Sequence, residues 1–266
     1  MLKGFNYPLT PKGKSTLNPP PPWYYSADLL SIEFWADPAA VAALLPAGLD
    51  PDASAKGRCN AFFYDWQFSG ENEEYLDPAR YQYREFFILL DALFEGRPVT
   101  YTPYIFVDND AALARDWSQG YPKRIAHVFQ TRYYAATGRA GPALAPGSKF
   151  AGSITASGQR LAEALVTLKE PMKDLSPFKA RPVVNLLHTP RLAAGKHDKP
   201  TVHELVENVP HDVKIEQAWI GEGFLTLPVC RGEEISDLAP VRCGKGIRAS
   251  LAYVVDDLKT LKDLRE

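Results

Sequence analysis

The feature that most constrains this chain is the recurrence of short aromatic and β-branched runs, each cut off by proline or glycine. The 266 residues include 23 Pro and 18 Gly, and the runs between them read as strands far more often than as helices. Strand-like stretches are 29–35, 60–68, 81–93, 100–107, 124–134, 150–157, 159–169, 182–187, 213–220, 224–227 and 247–255. Two hairpins are expected, one turning at Ser157-Gly158 and one at Gly221-Glu-Gly223. Helical signals are few. Asp37 caps a short helix that Pro38 opens and Pro46 with Gly48 closes. A second helix runs from Asp108 to Gln119, and a polar closing helix is expected over 257–265. The stretch 171–210 is loop-rich apart from 182–187. The pattern predicts one α+β domain, predominantly antiparallel β, as a barrel or a curved sheet. Residues 1–22, ending in four prolines, form an extended amino-terminal arm, and 23–266 form the domain.

Composition removes several function classes. A net charge of −2 with interspersed signs gives no electrostatic footprint for nucleic acid. No apolar run approaches the roughly 18 to 20 residues of a membrane helix, and the amino terminus lacks a signal-peptide core. A cytoplasmic protein with no membrane or nucleic-acid partner is expected. Cys59, Cys230 and Cys243 are widely spaced and odd in number, which supports neither a zinc site nor a disulfide framework. His127 and His203 are isolated on strands and read as structural, so no metal is expected.

The chemically suggestive stretch is Gln119-Gly-Tyr-Pro-Lys-Arg124. Gly120 permits the helix to stop, Pro122 forbids its return, and Lys123 falls at a stiff helix-to-strand junction. A second cation, Arg124, follows at once, and a neighbouring positive charge makes an amine shed its proton readily, as a nucleophile must. The alternative is a surface lysine in a turn. Glu85 alternates onto the same strand face as Tyr81, Tyr83 and Phe87, a costly place for a lone carboxylate.

Taken together, Asp108-Asn-Asp-Ala-Ala-Leu-Ala-Arg-Asp-Trp-Ser-Gln-Gly-Tyr-Pro-Lys123, Tyr83-Arg-Glu85, 178–187, 202–206, 214–221 and Asp237-Leu-Ala-Pro240 resemble the acetoacetate decarboxylase superfamily, in order from about Trp23 to Val255. The resemblance implies a cone-shaped closed β-barrel with a few short peripheral helices, a homo-oligomer, and a Schiff base on Lys123. Acetoacetate decarboxylase is itself a standard example of a lysine activated by desolvation or a cationic neighbour. Members that decarboxylate acetoacetate carry an arginine in the first strand and a glutamate in the second aromatic strand. The matching positions here fall near Ala27-Asp28 and at Ala61. Gln119 and Tyr253 instead resemble a divergent branch of Schiff-base aldolase-dehydratases that join pyruvate to an aldehyde.

The expected chemistry is therefore a Lys123 iminium and enamine acting on a short oxo acid and an aldehyde, with no cofactor, since the lysine supplies the electron sink. Glu85 is the proton-transfer candidate, because an apolar surround raises a carboxyl. Tyr253 offers a phenol to the reaction, or else is a core tyrosine. Gln119 orients the substrate, or else only ends its helix, and Arg124 contributes positive charge to substrate binding. Decarboxylation of a 3-oxo acid by the same lysine, and a non-catalytic barrel that binds a small carbonyl compound, are the alternatives.

Overall fold

The computed structural model describes residues 1–266 except 137, 180, 194, 196 and 266; Ala180, within the 178–187 stretch, thus lies outside the described residues. In chain order the elements are β1 (Trp23–Trp35), α1 (Pro38–Ala43), β2 (Asp50–Pro51), β3 (Arg58–Ser69), α2 (Pro78–Tyr81), β4 (Gln82–Phe94), β5 (Arg97–Val107) and α3 (Asp110–Trp117). They continue as β6 (Lys123–Ile125), β7 (His127–Gln130), β8 (Lys149–Ala156), β9 (Gln159–Pro171), β10 (Val183–Thr189) and β11 (Val202–Asn208). The chain ends in β12 (His211–Thr226), β13 (Arg242–Val255) and β14 (Leu258–Asp263).

All the strands join one mixed sheet in the order β14-β11-β10-β5-β4-β3-β1-β13-β12-β9-β8-β7, with β2 on β4 and β6 on β5. Among the described residues, only β10–β5 and β5–β6 run parallel. The expected β-rich fold with marginal helices is met. The closed cone is met only in part, because the path ends, β14 and β7, are not paired with each other. No helix among the described residues is long and apolar enough to cross a membrane.

Local chemistry explains most of the punctuation. Asp37 Oδ1 accepts from Ala39 N at 2.9 Å and starts α1, and Asn109 Oδ1 accepts from Ala112 N at 2.8 Å and starts α3, each satisfying a first-turn donor. Ser157 (φ 51°) and Gly158 (φ 75°) make the tight β8–β9 turn, the geometry hairpins prefer.

Four expectations change. The 213–227 region is one strand, not a hairpin. Its glycines serve close approach rather than a turn, since a Cβ on Gly221 would lie 1.9 Å from Thr167 O, beside a bulge against β9. The closing helix is instead edge strand β14. Its leucines fall at helical spacing, but a bulge opposite Leu205 and Val206 inserts Leu261 as an extra residue, so Leu261 and Leu264 still reach apolar cover. The loop-rich stretch also contains β11, and the 124–134 strand stops at Gln130 with a break at Ala126.

Alternation along β1, β3 and β4 divides the apolar residues between two faces. Leu30, Ile32, Phe34, Phe63, Phe86, Ile88 and Phe106 build the larger core. Tyr25, Tyr64, Trp66, Phe68, Tyr81 and Tyr83 build a second, tyrosine- and tryptophan-rich cluster. Each fully buried Phe or Leu contributes about 1.5–3 kcal/mol.

Candidate active site

Lys123 opens β6 on the tyrosine-rich face. The turn that delivers it is tight: Tyr121 N donates to Asp116 O at 3.0 Å, and Lys123 N donates to Tyr121 O at 2.8 Å across Pro122, which has no N–H to place. Gly120 takes φ 79°, and a Cβ there would stand 2.9 Å from Leu187 N, so only glycine fits between α3 and β10. Trp117 Nε1 donates to Lys123 O at 2.9 Å and fixes the strand's first carbonyl. β5 then pairs Ile105 with Lys123.

The residue is 2% exposed, with its side chain fully buried. Its nitrogen contacts Glu85 Oε2 and lies 2.6 Å from Asp116 Oδ2. Glu85 reaches it from β4, and its Oε1 accepts from Trp66 Nε1 at 3.2 Å. Asp116 reaches it from α3. Its Oδ1 accepts from Gln119 Nε2 at 3.0 Å and lies 3.3 Å from Arg115 Nε. Arg115 in turn donates to Tyr83 OH at 3.0 Å and to Asn18 Oδ1 at 3.4 Å, with its guanidinium 3.9 Å from the Phe68 ring centroid. Two cations and two carboxylates therefore share one buried, overall neutral cluster, the arrangement that keeps desolvated charge tolerable.

Burial is the largest influence on Glu85 and pushes its carboxyl above the usual carboxylate range; Lys123 opposes this and Asp116 adds to it. Burial likewise raises the phenols of Tyr25, Tyr83 and Tyr253, which stay neutral donors. A cluster with one carboxyl poised toward neutrality can take and return a proton next to an amine.

The structure brings Lys123, Glu85 and Gln119 together. Tyr253 meets them through aromatic neighbours: it stacks on Tyr25 at 5.0 Å between centroids and stands edge-on to Trp66 at 5.8 Å. Arg124 goes elsewhere. Successive strand residues point to opposite faces, and Arg124 lies on the phenylalanine side, its guanidinium 5.4 Å from the Phe106 centroid and paired with Glu233 at 2.6 and 2.8 Å. The expectation that it lends charge at the site is corrected, and the nearby cation is Arg115. His127 is exposed and His203 faces His188 at 3.0 Å. Among the described residues no group of three metal ligands forms.

Sequence reasoning missed Arg115, Asp116 and Trp66. The helix spacing carried a signal, because Arg115 and Asp116 precede Gln119 by four and three residues and share its face. Of the positions that differ from decarboxylating relatives, Ala27 faces the tyrosine-rich cluster and brings no charge. Asp28 pairs with Arg248 at 2.8 Å, and Ala61 lies in the other core.

The acetoacetate decarboxylase family model matches residues 6–264. No curated protein sequence matches the chain. Among solved structures, the enduracididine biosynthesis enzyme MppR, complexed with the condensation product of pyruvate and imidazole 4-carboxaldehyde, is 34% identical with a TM-score of 0.91, over 99% of this chain and 98% of that one. MppR has also been solved with pyruvate, at 34% identity and a TM-score of 0.90, over 99% of both chains. An acetoacetate decarboxylase-like enzyme from Sphingomonas wittichii RW1 is 26% identical with a TM-score of 0.89, over 98% of this chain and 100% of that one. With the family model spanning nearly the whole length, the chain belongs to the acetoacetate decarboxylase family and is a lyase.

Proposed function

We propose that this enzyme forms a Schiff base between Lys123 and a short 2-oxo acid such as pyruvate, and condenses the resulting enamine with an aldehyde before eliminating water. The observation that carries this reading is the enclosed Lys123 amine held against Glu85, a carboxyl that burial moves toward neutrality. The likeness to MppR, solved with pyruvate and with a pyruvate–aldehyde condensation product, supports it.

The steps use residues in contact. Glu85 accepts the ammonium proton of Lys123, and the free amine attacks the ketone carbon. Glu85 returns that proton to the resulting hydroxyl, which leaves as water and gives the iminium. Glu85 then removes a proton from the adjacent carbon, and the electron pair flows into the iminium to give an enamine. The enamine carbon bonds to the aldehyde carbon, whose oxygen takes a proton. Loss of that hydroxyl as water makes the double bond, and a second water hydrolyses the iminium, freeing Lys123 and an unsaturated 2-oxo acid. Asp116 holds the amine in register from the other side, and Gln119 holds Asp116. Tyr253, a neutral phenol against Trp66, donates to oxygen on the aldehyde side.

The segment that carries Lys123 also supports reading the sheet as a closed cone. β6 lies on β5 and, one residue later, β7 lies on β8, so residues 123–130 bridge two strands that are far apart on the sheet path.

Incubating the enzyme with pyruvate and a panel of aldehydes tests the reading. The expected result is an ultraviolet-absorbing conjugated 2-oxo acid, with little CO2 released from acetoacetate. Rapid CO2 release and no conjugated product would turn the reading to decarboxylation.

A further inference from the structure

The residues before Trp23 hold one isolated bridge, Lys3 with Thr10, yet Asn18 within them has no solvent exposure. Its position is built. Asn18 N donates to Asn6 Oδ1 at 3.1 Å, Asn18 O accepts from Thr16 Oγ1 at 3.2 Å, and Pro19 O accepts from Trp23 Nε1 at 3.0 Å. The carboxamide oxygen accepts from Arg115 Nη1 at 3.4 Å, which ties this segment to the cluster around Lys123.

On these two residues, two N–H donors are buried without a hydrogen-bond partner among the described residues: Asn18 Nδ2 and Arg115 Nε. Arg115 Nε stands 3.3 Å from Asp116 Oδ1, without the alignment of a hydrogen bond. Unpartnered buried donors cost stability, and donors of this kind suit an anionic acceptor. The geometry also orients such a ligand. Glu85 and Asp116 both contact the amine, and Arg115 adds positive charge beside Asp116. Arg115 and Lys123 stand 5.4 and 5.3 Å from the centroid of one ring, that of Tyr83. Both cations therefore border the same ring.

We infer that the amino-terminal segment lends Asn18 to the site, where its side-chain amide, together with Arg115, receives the carboxylate of the 2-oxo acid that Lys123 captures. This rests on the Schiff-base reading above and adds a specificity residue to it. Such a residue favours 2-oxo acids over neutral ketones and aldehydes as the Schiff-base partner, leaving neutral aldehydes for the second position.

Borohydride trapping with pyruvate and with methyl pyruvate, which keeps the ketone but not the charge, tests the inference. In Asn18→Ala the half-saturating pyruvate concentration is expected to rise about tenfold or more, the size of one lost hydrogen bond to a charged group. Trapping of methyl pyruvate should stay within about twofold by the same reasoning. Asn18→Asp has the same shape and sets a carboxylate against the ligand, so its pyruvate loss should exceed that of Asn18→Ala; it decides the matter if Asn18→Ala disturbs folding. Unchanged pyruvate trapping, or equal losses for both ketones, overturns the role of Asn18 while leaving Lys123 intact as the nucleophile. Wild-type enzyme that traps neither ketone overturns the Schiff-base reading and this inference with it.

Discussion

Where β4, β5 and β6 run side by side, the two faces of the sheet do different physical work with the same backbone. On one face Phe63, Phe86 and Phe106 pack with aliphatic side chains, and Arg124 lies at its edge with Glu233. On the other, Tyr83 and Trp66 enclose Lys123, Glu85 and Asp116. The first face depends on volume and shape, the second on placing charges out of water beside partners. A one-residue change of register would exchange Lys123 with Arg124 and destroy both.

The largest expected effect is at the amine. Lys123→Ala should lower condensation by about 10³ or more, because the covalent route disappears, and steady-state turnover measures it. On the packing face, Phe86→Ala should cost about 3–5 kcal/mol of stability. Denaturant unfolding reads that loss, and borohydride trapping per folded molecule should stay near wild type. If trapping collapses as well, the two faces are not separable.

Glu85→Gln comes next, with turnover lower by about 10²–10⁴ through lost proton transfer. The pH profile sharpens this. Glu85 titrates above the usual carboxylate range because burial raises it. As pH falls through that raised midpoint, Glu85 becomes protonated and can no longer accept the proton that the amine must lose before it attacks. Activity should therefore fall on the acid side at a pH higher than an ordinary carboxylate would give, and Glu85→Gln should abolish that limb. An unchanged acid limb in the variant would assign the titration to another group.

The smallest effect belongs to Arg124. Arg124 is half exposed, whereas its partner Glu233 is nearly buried, so Arg124→Ala should leave kcat within about twofold and show any loss in stability instead. A large loss in kcat would restore Arg124 to the site and contradict the separation of the faces.

Much of this contrast was legible in the sequence. Alternation in 81–93 placed Glu85 on an aromatic face, and Gly120 with Pro122 marked the junction that holds Lys123. What escaped was information held between elements. Arg124 looked like Lys123's electrostatic partner because sequence adjacency suggests nearness, whereas strand geometry sends neighbours to opposite faces. Arg115 and Asp116 read as ordinary polar residues of a short helix, and the packing of α3 against β5 and β6 is what buries them. The 257–265 leucines followed a helical spacing that a single bulge converts into strand register, and the Gly221 and Gly223 pair resembled a turn until Thr167 explained the need for bare backbone.

The most direct test of the central claim is borohydride reduction of the enzyme in the presence of pyruvate, followed by peptide mass mapping. A single reduced pyruvate adduct on Lys123, absent from Lys123→Ala, is the expected result. An adduct on any other lysine, or none at saturating pyruvate, would contradict it.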